Sequence, residues 1–547
     1  LANTPGTLIP AVPARFFEIL HRVNLLKAAF SVSSWTFLSR ITGLLRETLL
    51  LRAFGAGAQT DAFNIAFRLP NMLRRLFAEG AFSQAFVPIL GDIRSREGDA
   101  AAKLLIDHVA AALLWAVGLV SLLGVLGAPL LVWAIGAGLQ SRGFDEATVM
   151  TRIMFPYIAC MSLVAFAAAI LNTWRRFSIA AATPVLLNVC MIASILLAPY
   201  LLAPEQRIYG VAIGVMVGGV LQLAAVWWSL NRLGKRPALF KNPWTAFSYI
   251  GVKRVLSQMI PALLGVSVAQ ISFIINSQIA TYLGEGRVSW ITAADRLLEF
   301  PNAMLGVALG VVLTPSLTRA VSSNDQAEFS GLLDWGLRLT LLLALPAAVG
   351  MFMLADALTA ILYHYGKFSA LALSQTALAV QAYALGVLGF TLIKILAPGF
   401  YAQQNLRSPV KIALLVLVAT QIANFFLVPY LKHVALALTI SLGALLNAGL
   451  LLWGLRKTGK YAARPGWPLF FFKLLLAVTV MTAVLWWAAQ GIDWAALQAQ
   501  VWLRLLKVLG LVALGAASYF AVLALLGFRL EDFRKRASDQ NKTELSV

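Results

Sequence analysis

The sequence predicts an all-α polytopic membrane protein of about 14 transmembrane helices, built as two parallel six-helix lobes followed by a C-terminal helix pair. Three observations predict it. Of 547 residues, 60% are hydrophobic and only 12% charged, against about 45–50% and about 25% in soluble domains, and the mean hydropathy is +0.80. Apolar runs of the ~20 residues that cross a bilayer recur along the chain. Sequence features also repeat at an offset of about 227 residues. The composition excludes a soluble globular enzyme, a disordered chain and a secreted disulfide scaffold. Cys160 and Cys190 lie inside apolar runs, and with four histidines they make no disulfide or metal-ligand pattern.

In chain order, residues 1–27 read as an N-terminal cytoplasmic extension. Roughly 1–22 is expected to be poorly ordered and is not a secretory signal, because no apolar core is followed by small residues. The first lobe, 28–231, holds runs at 28–52, 59–90, 104–136, 146–173, 179–203 and 208–231. A basic linker, 232–254, leads to the second lobe, 255–455, with runs at 255–283, 288–318, 331–362, 371–401, 409–430 and 434–455. Residues 456–528 add spans at 468–490 and 502–528, almost wholly Leu, Val, Ala, Phe and Trp, and 529–547 is a tail. Short connections make the spans antiparallel neighbours.

The repeat rests on three matches. Ala66-Phe67-Arg68-Leu69-Pro70-Asn71 resembles Ala294-Asp295-Arg296-Leu297 with Pro301-Asn302; Pro88 matches Pro315; Pro184-Val185 matches Pro409-Val410. An offset of six spans keeps the two copies parallel, an arrangement of transporters whose substrate site lies at the repeat interface. Alternate connections carry 26 and 5 Lys+Arg, with Arg52 and Arg504 at span ends on the poorer side. The positive-inside rule therefore places both termini in the cytoplasm. It also explains the net charge of +21 as a topology signal rather than a nucleic-acid interface.

Charges inside spans are costly and mark function. The first span carries Arg40, Arg46 and Glu47; the second Asp61, Arg68, Arg74, Arg75 and Glu79; the eighth Asp295, Arg296 and Glu299. Arg338 is in the ninth and Lys394 in the tenth. Five arginines against three carboxylates in the first two spans leave a net positive site. That suits an anion, and arginine's planar fork suits phosphate. The alternative is a set of inter-helix ion pairs. Gly43, Pro70, Gly80, Pro261, Gly265, Pro301 and Gly306 interrupt these spans, which allows bending. No nucleophile–base pair, metal cluster or phosphate loop stands out, so neither an enzyme nor a bound cofactor or metal is expected.

Asn24-Leu25-Leu26-Lys27, Ser39-Arg40, Gly43, Phe54-Gly55-Ala56-Gly57, Thr60-Asp61-Ala62-Phe63 and Leu69-Pro70-Asn71-Met72-Leu73-Arg74-Arg75 resemble the MurJ lipid II flippases. So do Phe77 through Pro88, Ile170-Leu171-Asn172-Thr173-Trp174, Asp295 through Pro301 and Leu396 through Tyr401. The resemblance runs from about residue 23 to 530. It implies a flippase of the bacterial inner membrane, within the multidrug/oligosaccharidyl-lipid/polysaccharide exporter superfamily. Its substrate is lipid II, the undecaprenyl-pyrophosphate-linked disaccharide-pentapeptide. It implies membrane lipids and the cell-wall synthesis and division machinery as partners. Arg40, Arg46, Arg74 and Arg296 are then substrate-binding; Glu47, Asp61, Arg68, Glu79, Asp295 and Glu299 are supporting cavity charges; the last two spans form a groove for the polyprenyl tail. Glu47 departs from the family's usual Asp. Where some members place sodium-binding carboxylates on the seventh and eleventh helices, this chain has Asn276, Gln421 and Asn424, which argues against sodium coupling. The competing readings are an exporter of another polyprenyl-linked glycan or of drugs, a membrane enzyme on polyprenyl phosphates, and a cell-wall scaffold.

Overall fold

The computed structural model describes residues 14–74 and 82–528, leaving aside the side chains of 14–30, 73–74, 84, 260–269 and 303–312. Its elements are helical throughout. The first half comprises α1 (Ala14–Phe54), α2 (Ala58–Arg74), α3 (Phe82–Leu126), α4 (Ala128–Gly136), α5 (Ser141–Met154), α6 (Tyr157–Thr173), α7 (Phe177–Leu201) and α8 (Arg207–Arg232). A short helix, α9 (Pro243–Ser248), lies in the linker. The second half comprises α10 (Ile250–Tyr282), α11 (Arg287–Ser322), α12 (Gln326–Met353), α13 (Ala355–Tyr363), α14 (Ala370–Tyr401), α15 (Arg407–Leu431) and α16 (His433–Lys457), and the chain ends with α17 (Trp467–Ala489) and α18 (Val501–Leu525). Among the described residues, ten helical stretches are long and apolar enough to cross a membrane.

Where they are described, the expected spans are built mainly of helix, but two boundaries differ from the sequence reading, and residues 75–81 of the second span lie outside the described residues. The connection expected at 91–103 is itself helical. α3 runs through it, with one break at Gly98 (φ 87°, ψ −177°). Ion pairs between Arg96 and Asp92 at 2.6 Å and between Arg94 and Asp99 at 3.1 Å line this exposed stretch, and i,i+4 pairing such as Asp92–Arg96 favours helix in water. Lys235 of the linker also reaches Asp99, at 2.8 Å, and these two cations hold its carboxyl below the usual range. Helix α1 starts at Ala14, well before residue 28; residues 1–13 and the tail from 529 lie outside the described set.

α1 packs on α7, and α7 on α8; in the second half α14 packs on α11, α12 and α16. The halves meet along α2 and α11. There, residues separated by the repeat offset touch: Asn64 and Ser289, Asp61 and Ser289, Arg68 and Thr292, at separations of 225, 228 and 224 residues. Contacts between equivalent positions are what a two-fold relation between parallel copies puts beside its axis.

The last pair, α17 and α18, pack on each other and join the second half through α12 and α13. Buried Asp334 of α12 fixes the connection. Its Oδ1 accepts from Tyr461 Oη (3.0 Å), Trp467 Nε1 (2.8 Å) and the Arg464 N–H (3.2 Å). Its Oδ2 lies 2.9 Å from Arg338 Nε. Arg338 is thereby spent on architecture, as is Lys394, whose Nζ donates to the Asn302 carbonyl at 2.9 Å.

Candidate functional site

A cavity of about 990 Å³ lies between the halves. Its charged lining comes from Arg40 and Arg46 of α1 and Arg296 and Glu299 of α11, and its apolar lining includes Leu358 and Leu362 of α13, Met481 and Leu485 of α17, and Leu511 and Gly515 of α18. Gly515 lets α18 approach Leu485 of α17; a Cβ there would come to 3.1 Å from that side chain.

Arg46 is held in place on several sides. Its Nη2 donates to Glu47 Oε2 at 3.2 Å, its Nη1 to Asn188 Oδ1 of α7 at 3.2 Å, and the guanidinium lies 5.8 Å from the Phe67 ring centre. Its Nε and Glu47 Oε1 find no partner among the described residues. Asn188 is aimed in turn by the Ser39 carbonyl and Thr42 Oγ1, which accept from its Nδ2 at 3.0 and 3.1 Å. The sequence reading missed Asn188; the one signal was its place a turn after Pro184, an anchor of the repeat. Asn188→Ala is expected to slow transport about 10-fold, the worth of one hydrogen bond to a charged group. Binding and turnover assays on purified protein check this, and an unchanged rate would remove Asn188 from the site.

On the opposite wall, Arg296 Nη1 donates to Glu299 Oε2 at 3.1 Å, one turn along α11. Both side chains are partly open to the cavity, 25% and 35% exposed, and Arg296 Nε is unpartnered. Arg40 also lines the cavity and makes no ion pair among the described residues.

The structure divides the remaining charges. Asp61 does not line the cavity. It is buried at the seam, where its carboxylate accepts from the Gly286 N–H (2.6 Å), the Ser289 N–H (2.8 Å) and Ser289 Oγ (2.6 Å). It thus caps the N-terminus of α11 from across the seam, where free N–H groups and the helix dipole favour an anion. Gly286 adopts φ 80° there, a backbone angle open to glycine at no steric cost. Arg68, two turns further along α2, likewise faces α10 and α11: it donates to Ser277 and Thr292 and lies 4.8 Å over the Phe273 ring. Asp295 contributes to the field around Arg68. Arg74 ends α2, its side chain outside the described set, and Glu79 lies outside the described residues altogether.

The polar group on α10, α15 and α16 is neutral. Asn276 Oδ1 accepts from Asn424 (2.9 Å) and Gln421 (3.5 Å), Gln421 Oε1 from Asn424 (3.1 Å), and Asn424 Oδ1 from Thr439 (2.5 Å). Asn276 Nδ2, a donor, is buried without an acceptor. These amide oxygens accept from one another and from Thr439, and the group contains no carboxylate.

A cavity between the two halves with charged and apolar lining is a transporter's geometry, and comparison with known proteins agrees. A family model described as lipid II flippase MurJ matches residues 50–530. The chain is 49% identical over 518 residues to a lipid II flippase MurJ of Burkholderia cenocepacia, covering 94% of this chain and all of that one. It is 37% identical to a probable lipid II flippase MurJ of Vibrio cholerae, covering 95% and 99%. Among solved structures, a lipid II flippase MurJ in an inward closed conformation superposes with a TM-score of 0.75 at 22% identity, over 90% and 99% of the two chains. An inward-facing multidrug resistance MATE family transporter of the MOP superfamily follows at 0.66 and 14%, over 79% and 98%, a likeness of fold alone. On the strength of the family match and of identity carried through nearly the whole chain, this protein, a multi-pass membrane transporter and not an enzyme, belongs to the MurJ family of lipid II flippases.

Proposed function

We propose that the chain moves lipid II from the inner to the outer leaflet of the bacterial inner membrane, with both termini cytoplasmic, and that Arg40, Arg46, Arg74 and Arg296 hold its pyrophosphate. The observation that carries this is the mixed lining of one cavity: arginines from both halves together with apolar side chains of α13, α17 and α18. An amphiphile needs both. Its polar head cannot cross hydrocarbon unaided, and its polyprenyl tail gains nothing from leaving an apolar wall. Arg46 and Arg296 supply N–H forks from opposite walls, and Glu47, Glu299, Asn188 and Asp295 keep them aimed. The α17–α18 pair is the tail groove, and its attachment through Asp334 makes it move with the second half.

Transport then alternates between an arrangement sealed by Asp61 at the α2–α11 seam and one in which that seam opens. The cell interior is electrically negative, so an anionic head is driven outward by about 2.3 kcal/mol per charge per 100 mV. The Asn276–Gln421–Asn424 group, which has no carboxylate, supports a cycle without sodium.

Two experiments test the reading. The chain is expected to rescue a bacterium depleted of its own lipid II flippase. In proteoliposomes, outward transport of lipid II is expected to rise with an inside-negative potential and to be unchanged when sodium is replaced by choline. Failure of rescue despite membrane insertion would sink the function; sodium dependence would sink the coupling.

A further inference from the structure

The basic residues on the poorer side of the membrane are unevenly placed. Three of them, Arg52, Lys367 and Arg504, converge where α1 ends against the loop after α13 and the first turn of α18. The Lys367 N–H donates to the Arg52 carbonyl at 3.0 Å. Gly366 packs so closely that a Cβ on it would lie 2.5 Å from the same oxygen. On the far side of this loop, Arg504 Nη1 donates to the His364 carbonyl at 3.2 Å and its guanidinium lies 4.5 Å over the Tyr365 ring.

Arg504 is 0% exposed, yet its Nε and Nη2 meet no acceptor among the described residues, and neither does Nδ1 of buried His364. The other buried arginine among the described residues, Arg46, is compensated by the Glu47 carboxylate at 3.2 Å. A buried guanidinium whose Nε–Nη2 edge is unused is expensive, and that edge is the fork that grips a phosphate. Arg504 also lies close to the transport route. Leu511, two turns along the same face of α18, lines the cavity, as do Leu358 and Leu362 on the helix that leads into the covering loop.

We propose that Arg504, His364, Arg52 and Lys367 form an outer anion site that receives the diphosphate of the lipid as the halves part; it rests on the flippase reading above. In the arrangement seen, the loop plugs the site, and the His364 carbonyl occupies one Arg504 donor in place of an anion oxygen. Separation of α1 from the loop breaks the Lys367–Arg52 contact and frees the fork. Exposed Arg52 and Lys367 then add attraction toward the outer side. A purely architectural Arg504 would need only the carbonyl bond and the ring contact, and its fork would have no use.

The test uses the full chain in phosphatidylcholine proteoliposomes, which offer no competing anionic head groups, with inorganic pyrophosphate on the release side as the probe. Wild-type outward transport of lipid II is expected to fall several-fold in millimolar pyrophosphate. Arg504→Gln, which keeps a donor for the His364 carbonyl but loses charge and fork, is expected to transport about 10-fold more slowly. Arg52→Gln/Lys367→Gln, on the surface, is expected to cost about 3-fold and to blunt the pyrophosphate effect. A working wild type that ignores pyrophosphate overturns the site. So does Arg504→Gln at the wild-type rate, or a slowed Arg504→Gln with a lowered melting temperature while the double variant keeps full pyrophosphate sensitivity. A wild type that moves no lipid II defeats the flippase reading instead, and the site with it.

Discussion

Arg296→Ala is expected to abolish lipid II transport, by at least about 100-fold, while expression and insertion persist. Truncating one side of a desolvated charge contact costs about 2–5 kcal/mol, and Arg296 is the second half's contribution to the proposed clamp, whose other members stand on α1 and α2. Arg296→Lys keeps the charge but not the fork, and should recover only part of the rate. The competing explanation is that Arg296 exists to neutralise Glu299, 3.1 Å away. In that case Arg296→Ala/Glu299→Gln would restore transport, because the orphaned carboxylate does the damage. Both groups are partly open to the cavity, so an orphaned Glu299 can be hydrated and little rescue is expected. Flipping assays on the three variants decide it, and a double variant near the wild-type rate would remove Arg296 from the substrate clamp.

Asp61→Ala is expected to unseat the seam. It leaves the Gly286 and Ser289 N–H groups at the α11 N-terminus unpaired, each worth about 1–3 kcal/mol when buried, and removes the anion that complements the helix dipole. The protein should shift toward the arrangement opened at that seam and lose transport about 10-fold or more. Asp61→Asn keeps one acceptor and should lie between. The readout is labelling of a cysteine placed at Thr292, in a background with Cys160→Ala and Cys190→Ala, by an impermeant maleimide added outside. Faster labelling in Asp61→Ala is the expected result. Unchanged labelling together with unchanged transport would show that Asp61 does not hold the seam.

Much of this protein can be read along the chain because the bilayer simplifies the problem. Spans must be helical to satisfy their backbone, so hydropathy alone marked the apolar runs that the structure builds as helix, and the uneven Lys+Arg counts gave an expected orientation. Gly98 was harder. Its flanks are polar, as a loop's would be, but the opposite charges there lie at helix spacing and carry the helix to within one residue of the break on either side.

The charged residues show where the sequence stops. Arg46, Asp61, Arg68 and Arg296 look alike along the chain: ionised groups in apolar spans, each a candidate for the anion site. The 3.6-residue period places each on a face of its helix, but it does not say what lies opposite that face. Packing decides it. Arg46 and Arg296 meet a cavity, with donor groups left over. Asp61 meets the bare N-terminus of α11, and Arg68 meets hydroxyls and a phenyl ring; both are consumed in joining the halves. Likewise the composition of α17 and α18 marks them only as apolar, and their contact with the charged cavity exists because Asp334, far off in sequence, pins the connection that brings them there. What the sequence by itself determined was the all-helical membrane-spanning class and the sign and chemical type of the buried charge, since each follows from the cost of placing a group in hydrocarbon. Which charges face the cavity and which lock the seam was decided only by the tertiary structure, because a buried ion's role depends on the partner within about 3 Å of it, and that partner comes from another part of the chain.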